Sequence, residues 1–245
     1  MIEWKNVSLT VGGRSILRDI TLTAKNGEIL VLLGENGSGK TSLLRTAQGR
    51  GYAGSVLLDG KESGDLSPAL RAKYVSCMTQ TTARPPVTAE ELVMWGRTPY
   101  LGFTATPGEK DRELVRRALS DAGAEAFSGQ DVRSLSGGEF QKVCFAALLA
   151  QDTPSVLLDE PAAHLDRRGA EALYGFLRRL RASGKAVVCV LHDLTAAWEL
   201  GDRLAVLREG RLAFSGTREE LLAEHIPETV FGCRVYSLGD TVIIR

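Results

Sequence analysis

Residues 2–10 and 20–25 alternate apolar with polar side chains, which predicts strands that each bury one face. Glu28–Leu33, Ser155–Leu158 and Ala186–Leu191 read differently: each is an apolar run, solid after its first residue in the first case. Short, solid runs rich in β-branched residues and followed by helical patterns predict a parallel sheet covered on both faces. Val56–Leu58 with Asp59-Gly60 behind it predicts another strand and a turn. From Thr88 to about Ala150 the periodicity becomes helical and no strand is evident. Thr88 and Glu91 form a capping-box pattern ahead of Leu92, Val93 and Trp95. Leu114, Val115, Ala118 and Leu119 recur at helical spacing, and a third helix starts near Ser136 and runs through Val143, Phe145, Leu148 and Leu149. The pattern predicts an α/β chain with a mostly parallel sheet, an N-terminal antiparallel β subdomain and an inserted helical subdomain. One domain spans 1–245, its core at 1–84 and 151–245 and its helical insert at about 85–150, with Pro85-Pro86 as the hinge. Thr217 and Glu220 cap a helix in the tail, and Thr241–Ile244 ends the chain as a strand.

Composition narrows the classes. Lys+Arg and Asp+Glu are equal at 30 each, so no net field drives general nucleic-acid binding. Met1-Ile2-Glu3-Trp4-Lys5 has no apolar signal-peptide core, and no apolar run approaches a membrane span, so a cytoplasmic location is expected. Cys77, Cys144, Cys189 and Cys233 form no CxxC pair and read as small hydrophobes in a reducing compartment.

Three segments carry chemistry. Gly34-Glu35-Asn36-Gly37-Ser38-Gly39-Lys40-Thr41 fits G-x-x-x-x-G-K-[ST], between the apolar run ending at Leu33 and a helix-compatible stretch opening at Ser42. Glycines let backbone N–H groups converge on phosphate oxygens, and a helix start adds partial positive charge. Lys40 is placed to reach the β- and γ-phosphates, and the Thr41 hydroxyl to ligate Mg²⁺. Ser155–Asp159 and Glu160 form an apolar strand ending in two carboxylates, where ligands of open α/β sheets sit. Asp159 is assigned to the metal and Glu160 to the attacking water; the alternative is a solvated pair at a strand end. Leu135-Ser136-Gly137-Gly138-Glu139 opens the third helix. A plain capping box explains Ser136 and Glu139, but two glycines weaken a helix start unless backbone N–H groups must approach an anion closely.

The order phosphate loop, Gln80, Leu-Ser-Gly-Gly-Glu, acidic strand end, His164-Leu165-Asp166 and His192 resembles the nucleotide-binding subunit of ABC transporters, over essentially the whole chain. The resemblance implies a P-loop NTPase core that binds ATP with Mg²⁺ and hydrolyses it. It implies a head-to-tail pair in which Ser136, Gly137 and Gly138 contact the γ-phosphate on the other subunit's loop. Gln80 then touches Mg²⁺ and senses membrane permease subunits, Glu160 is the general base, His192 contacts the γ-phosphate, and Asp166 links the two sites. His192 can also be read as a neighbour of Asp193, which is placed to cap the next helix. Gly96-Arg97-Thr98-Pro99-Tyr100-Leu101-Gly102 is similar to the Gly-Arg-x-Pro-His-x-Gly run of ATPases that serve iron–siderophore, haem and cobalamin importers, with Tyr100 in place of His. That implies a peripheral protein on the cytoplasmic face of the membrane, served indirectly by a substrate-binding protein. The segment from Gln80 to about Gly102 is the expected dock, and Arg97, if exposed, its contact. Val11 falls where many such chains carry an adenine-stacking aromatic, which implies that phosphates and Mg²⁺ supply most of the affinity unless Trp4 or a partner covers the base.

Other readings fit less well. A soluble ABC ATPase without a channel, of the iron–sulfur-assembly type, leaves the Gly-Arg-x-Pro run unused. A P-loop kinase or GTPase gives no role to Leu-Ser-Gly-Gly-Glu or His192, and no Asn-Lys-x-Asp motif is present. A non-hydrolysing regulator would not need Lys40, Glu160 and His192 together.

Overall fold

The computed structural model describes residues 1–49, 51–79, 83–101, 106–163 and 165–233, and the strand backbone of 235–238 and 241–244. The chain opens as a hairpin of β1 (Ile2–Val11) and β2 (Arg14–Ala24), turning through Gly12-Gly13 at φ +56° and +77°. Strand β2 starts earlier than its apolar alternation suggests, because Arg14–Leu17 pairs back on the end of β1. Next come β3 (Ile29–Leu33), α1 (Lys40–Thr46), β4 (Ala53–Leu58), β5 (Lys61–Glu62), α2 (Pro68–Arg71) and β6 (Val75–Met78). Helices α3 (Ala89–Trp95), α4 (Glu109–Asp121) and α5 (Gly137–Gln151) follow. The second half alternates β7 (Ser155–Asp159), α6 (Arg167–Ala182), β8 (Ala186–Val190), α7 (Leu194–Leu200), β9 (Arg203–Arg208) and β10 (Arg211–Gly216). The end is α8 (Arg218–Ala223), α9 (Ile226–Phe231) and the hairpin β11 (Val235–Leu238) with β12 (Thr241–Ile244).

Six strands form the main sheet in the order β10-β9-β3-β8-β7-β6, all neighbours parallel except β10 with β9. A second, antiparallel sheet has the order β2-β1-β4-β5. Every residue of β3, β7 and β8 is buried, as a sheet covered on both faces requires. Alternate β3 residues serve opposite layers. Ile29, Val31 and Leu33 pack with α6 and α7, while Leu30 and Leu32 pack with α1 and the antiparallel sheet. Strands β6, β9 and β10, which the apolar pattern does not single out, complete the sheet at its edges. Helix α6 is also outside that reading; its stripe of Leu173, Phe176, Leu177 and Leu180 faces the main sheet.

Helices α3, α4 and α5 share a third cluster that includes Val93, Val115, Leu119, Val132 and Val143. Helix α5 belongs to both layers, since its Phe145 and Leu148 sit in the cluster against the main sheet. The capping boxes expected at Thr88, Ser136 and Thr217 are all formed. No disulfide joins the described cysteines, and among the described residues no helix is long and apolar enough to cross a membrane.

Candidate active site

The parallel register aligns the carboxyl ends of β3, β8 and β7. Leu32 pairs with Val190, and Val190 with Asp159, so the segments that follow these strands emerge side by side. The 34–39 loop leaves β3, His192 follows β8, and Asp159-Glu160 closes β7. A cleft of about 670 Å³ opens along the 34–42 segment, lined by Asn36, Gly37, Gly39, Lys40, Thr41 and Ser42, with Glu160 facing them; Asp159 and His192 lie off this lining, His192 reaching it through Glu160. Its other wall is the start of β2 and the Glu209-Gly210 turn.

The loop holds its lysine by its own carbonyls. Lys40 Nζ donates to the carbonyl oxygens of Gly34 and Glu35, each at 2.8 Å. Gly34 has φ +142°, and a Cβ there would lie 2.2 Å from the Leu207 carbonyl oxygen, so the loop closes against β9 only with glycine. Gly39, at φ +107°, lies against β2, where a Cβ would meet the end of the Leu17 side chain at 2.7 Å and the Ile16 carbonyl oxygen at 3.2 Å. Burial pulls the Lys40 ammonium below its ordinary pKa, opposed by the charges of Glu160 and Asp159. A lysine held in this manner gains from any anion that enters the cleft.

Asp159 is buried at the end of β7, and its Oδ1 has no hydrogen-bond partner among the described residues. Ser38 Oγ is likewise buried without a partner among the described residues. Glu160 steps out of the strand at φ +52°, which separates its direction from that of Asp159. Its Oε1 lies 2.6 Å from His192 Nε2. Asp193 does cap α7, accepting from the Thr195 N–H at 2.9 Å, and this leaves His192 free to face Glu160.

Not every expected residue joins this cleft. Ser136, Gly137 and Gly138 lie exposed at the start of α5, outside its lining. Ser136 Oγ accepts from the Glu139 N–H, and Glu139 Oε2 accepts from the Ser136 N–H at 2.8 Å. A Cβ at Gly137 or Gly138 would meet nothing within 4 Å. Asp166 caps α6, accepting from the Gly169 N–H at 2.7 Å. Gln80, His164 and Gly102 lie outside the described residues.

Two expectations are corrected. Arg97 is only 6% exposed and cannot be a surface contact. Its guanidinium donates to Asp111 at 3.0 Å and to the Ala150 carbonyl at 2.7 Å, and it stacks on the Tyr100 ring at 4.1 Å. Tyr100 Oη donates in turn to the Gln151 carbonyl at 2.8 Å. Gly96 permits the approach, since a Cβ there would sit 2.6 Å from the Ala147 carbonyl oxygen. The Gly-Arg-x-Pro-Tyr run is thus a clamp on the carboxyl end of α5. Trp4 is fully buried, with Nε1 donating to Thr46 Oγ1 at 3.0 Å, and cannot cover a base.

Sequence reasoning missed two links to α5. Arg84 donates to the Leu135 carbonyl at 2.5 Å and lies over the Phe140 ring, bracing the helix start from the segment that follows Gln80. Gln141 donates to the Pro161 carbonyl, one residue beyond Glu160. Neither has a local signal, since both partners are backbone carbonyls remote in sequence.

Residues 17–163 match the sequence profile of the family described as ABC transporter. The hemin import ATP-binding protein HmuV of Mesorhizobium japonicum is 35% identical, the match covering 96% of this chain and 92% of that protein. The iron(3+)-hydroxamate import ATP-binding protein FhuC of Bacillus subtilis is 32% identical over 94% of this chain and 87% of its own. Among solved structures, the ATP-binding cassette MJ0796, in a dimeric post-hydrolysis state bound to ADP and Pi, superposes with a TM-score of 0.78 at 29% identity, covering 89% of this chain and 98% of that one. The ADP conformation of the cassette MJ1267 gives 0.83 at 20% identity, covering 95% and 97%, a likeness of fold.

Proposed function

The chain belongs to the ABC transporter family, and from that premise we propose that it is the ATP-hydrolysing subunit of a membrane importer for iron–siderophore, haem or related chelate cargo. The import ATP-binding proteins it resembles support this over a channel-free soluble ATPase. The observation that carries the enzymatic reading is the Glu160–His192 contact of 2.6 Å beside the loop that wraps Lys40.

The chemistry follows from this arrangement. The triphosphate lies along the 34–42 segment, with loop N–H groups and Lys40 on its β- and γ-oxygens. Glu160 takes the proton of the water that attacks the γ-phosphorus, and His192 orients that carboxylate and the γ-phosphate. The residues present fit Mg²⁺ held largely by substrate oxygens. Asp159 has a buried carboxylate oxygen without a partner, Thr41 lines the cleft, and no cluster of three or more acidic, His or Cys ligands exists among the described residues. Thr41, Asp159 and Gln80 would hold it, and when bound it neutralises charge on the transferring phosphoryl group.

Ser136, Gly137 and Gly138 serve a second copy of the chain. Their exposure outside their own cleft, with open space where side chains would fit, suits contact with a phosphate that another subunit presents. The working unit is then an ATP-dependent head-to-tail dimer, bound to integral permease subunits at the cytoplasmic face of the membrane and fed by a substrate-binding protein. Residues at about 85–150 move against the core at 1–84 and 151–245.

Glu160→Gln tests the reading. Turnover should fall by about 10²–10⁴-fold, the usual worth of a general base, while ATP binding persists and the dimer is trapped. ATP hydrolysis near the parent rate would remove Glu160 from this role.

A further inference from the structure

The cleft extends past the phosphate loop to a wall that no aromatic side chain among the described residues lines. That wall is the start of β2, with Arg14, Ser15, Ile16 and Arg18, and the turn carrying Glu209. Trp4 is buried elsewhere, and Val11, paired with Arg14 across the hairpin, is 59% exposed and lies off the lining. The wall is firmly placed. The Arg18 N–H donates to the Gly210 carbonyl at 2.7 Å, and the Gly210 N–H to the Ser38 carbonyl at 3.1 Å, which ties β2, the turn and the phosphate loop together. A Cβ at Gly210 would sit 2.3 Å from the Ile16 carbonyl oxygen, so this junction is closed.

Of the charged groups on this wall, Arg18 is committed to Ser15 Oγ at 3.3 Å. Arg14 and Glu209 are exposed, and neither side chain has a hydrogen bond or ion pair among the described residues. A guanidinium plane stacks on a base much as an aromatic ring does. A carboxylate only accepts hydrogen bonds. Adenine offers it the N6 amine, whereas guanine offers N1–H and the N2 amine together.

The geometry points to Arg14 and Glu209 as the base-recognition end of the nucleotide cleft, Arg14 stacking on the purine and Glu209 accepting from its donor edge, so that GTP is bound about as well as ATP. This rests on the nucleotide reading above and assigns the specificity within it. Arg14 supplies the stacking plane that no aromatic of the lining provides, and Glu209 finds a donor on either purine.

The test is equilibrium binding of ATP, GTP, CTP and inorganic tripolyphosphate to the purified full chain with Mg²⁺. ATP and GTP should agree within about threefold, and CTP should bind more weakly for want of ring area. Arg14→Ala should weaken ATP and GTP about five- to tenfold, within the range of one stacking contact, and leave tripolyphosphate unchanged. Arg14→Trp should restore both purine nucleotides, which a purely ionic role would not allow. Glu209→Gln should cost GTP more than ATP. A preference for ATP over GTP beyond about tenfold, or equal losses of ATP and tripolyphosphate in Arg14→Ala, would overturn the assignment while leaving the phosphate site intact. Failure of the parent chain to bind tripolyphosphate or any nucleotide would overturn the nucleotide reading itself, and this proposal with it.

Discussion

Two of the glycine-bearing helix starts, at Gly34–Lys40 and Ser136–Gly138, are built on opposite terms. Around Gly34–Lys40 two glycines answer to the chain itself, Gly34 pressed on the Leu207 carbonyl and Gly39 on the Leu17 side chain, while Gly37 is held by its positive φ of +81° and not by a neighbour. Two of the loop's own carbonyls hold Lys40 as well. At Ser136–Gly138 nothing in the chain requires glycine: the positions are exposed, the helix is capped, and added side chains would meet open space. A glycine without an internal reason costs helix stability and points to something outside the fold. The first start is fixed by its own fold. The second is open on its outer side and braced from within, by Arg84 and Gln141 near its start and by Arg97 at the far end of its helix.

Substitutions can separate the two. Gly34→Ala should do the most damage, about 3 kcal/mol or more in denaturant unfolding, since it adds backbone strain to an overlap with an immovable carbonyl. Unfolding at the parent midpoint would show that the loop closes less tightly than described. Lys40→Ala should leave the fold standing and weaken ATP by roughly 10- to 100-fold, the worth of charge-assisted hydrogen bonds of about 1.5–3 kcal/mol. ATP affinity equal to the parent's in calorimetry would take Lys40 out of the site.

Arg97→Ala strikes the far end of the second helix. It should lower stability by about 2 kcal/mol yet spare ATP binding at the phosphate loop. Arg97 also holds the Asp111 carboxyl below its usual range. That stabilisation is present above the ordinary carboxylate pKa and is lost as pH falls through the depressed value, so the gap between parent and variant should narrow in acid to what the Ala150 and Tyr100 contacts hold. A gap of unchanged size at low pH would assign the whole loss to those contacts. Gly138→Ala should have the smallest effect on the fold, a gain of about 0.5–1 kcal/mol from removing a helix glycine, and should nonetheless slow hydrolysis and ATP-driven dimerisation. A stabilised variant with parent turnover would erase the contrast between the two helix starts.

Much of this was legible along the chain because the relevant physics is local. Solid runs gave β3, β7 and β8, and Ser/Thr-x-x-Glu patterns gave the caps of α3, α5 and α8. Strands β6, β9 and β10 were harder to see because their place depends on neighbours remote in sequence. Arg97 was misjudged for a related reason. A charged residue beside a proline reads as a surface loop, and only the carboxyl end of α5 and the start of α4, folded back on it, make its burial tolerable.

The sequence by itself determined that there is a phosphate loop, an acidic strand end and a capped, glycine-bearing helix, because each is a short motif whose chemistry its own residues carry. The tertiary structure alone decided which of them share a cleft. Parallel pairing of β3, β8 and β7 sets Lys40, His192 and Glu160 at one sheet edge, and the same fold leaves Ser136–Gly138 outside that cleft. It also decided the fates of Trp4 and Arg97, since burial is a property of what packs around a residue and not of the residue or its immediate neighbours.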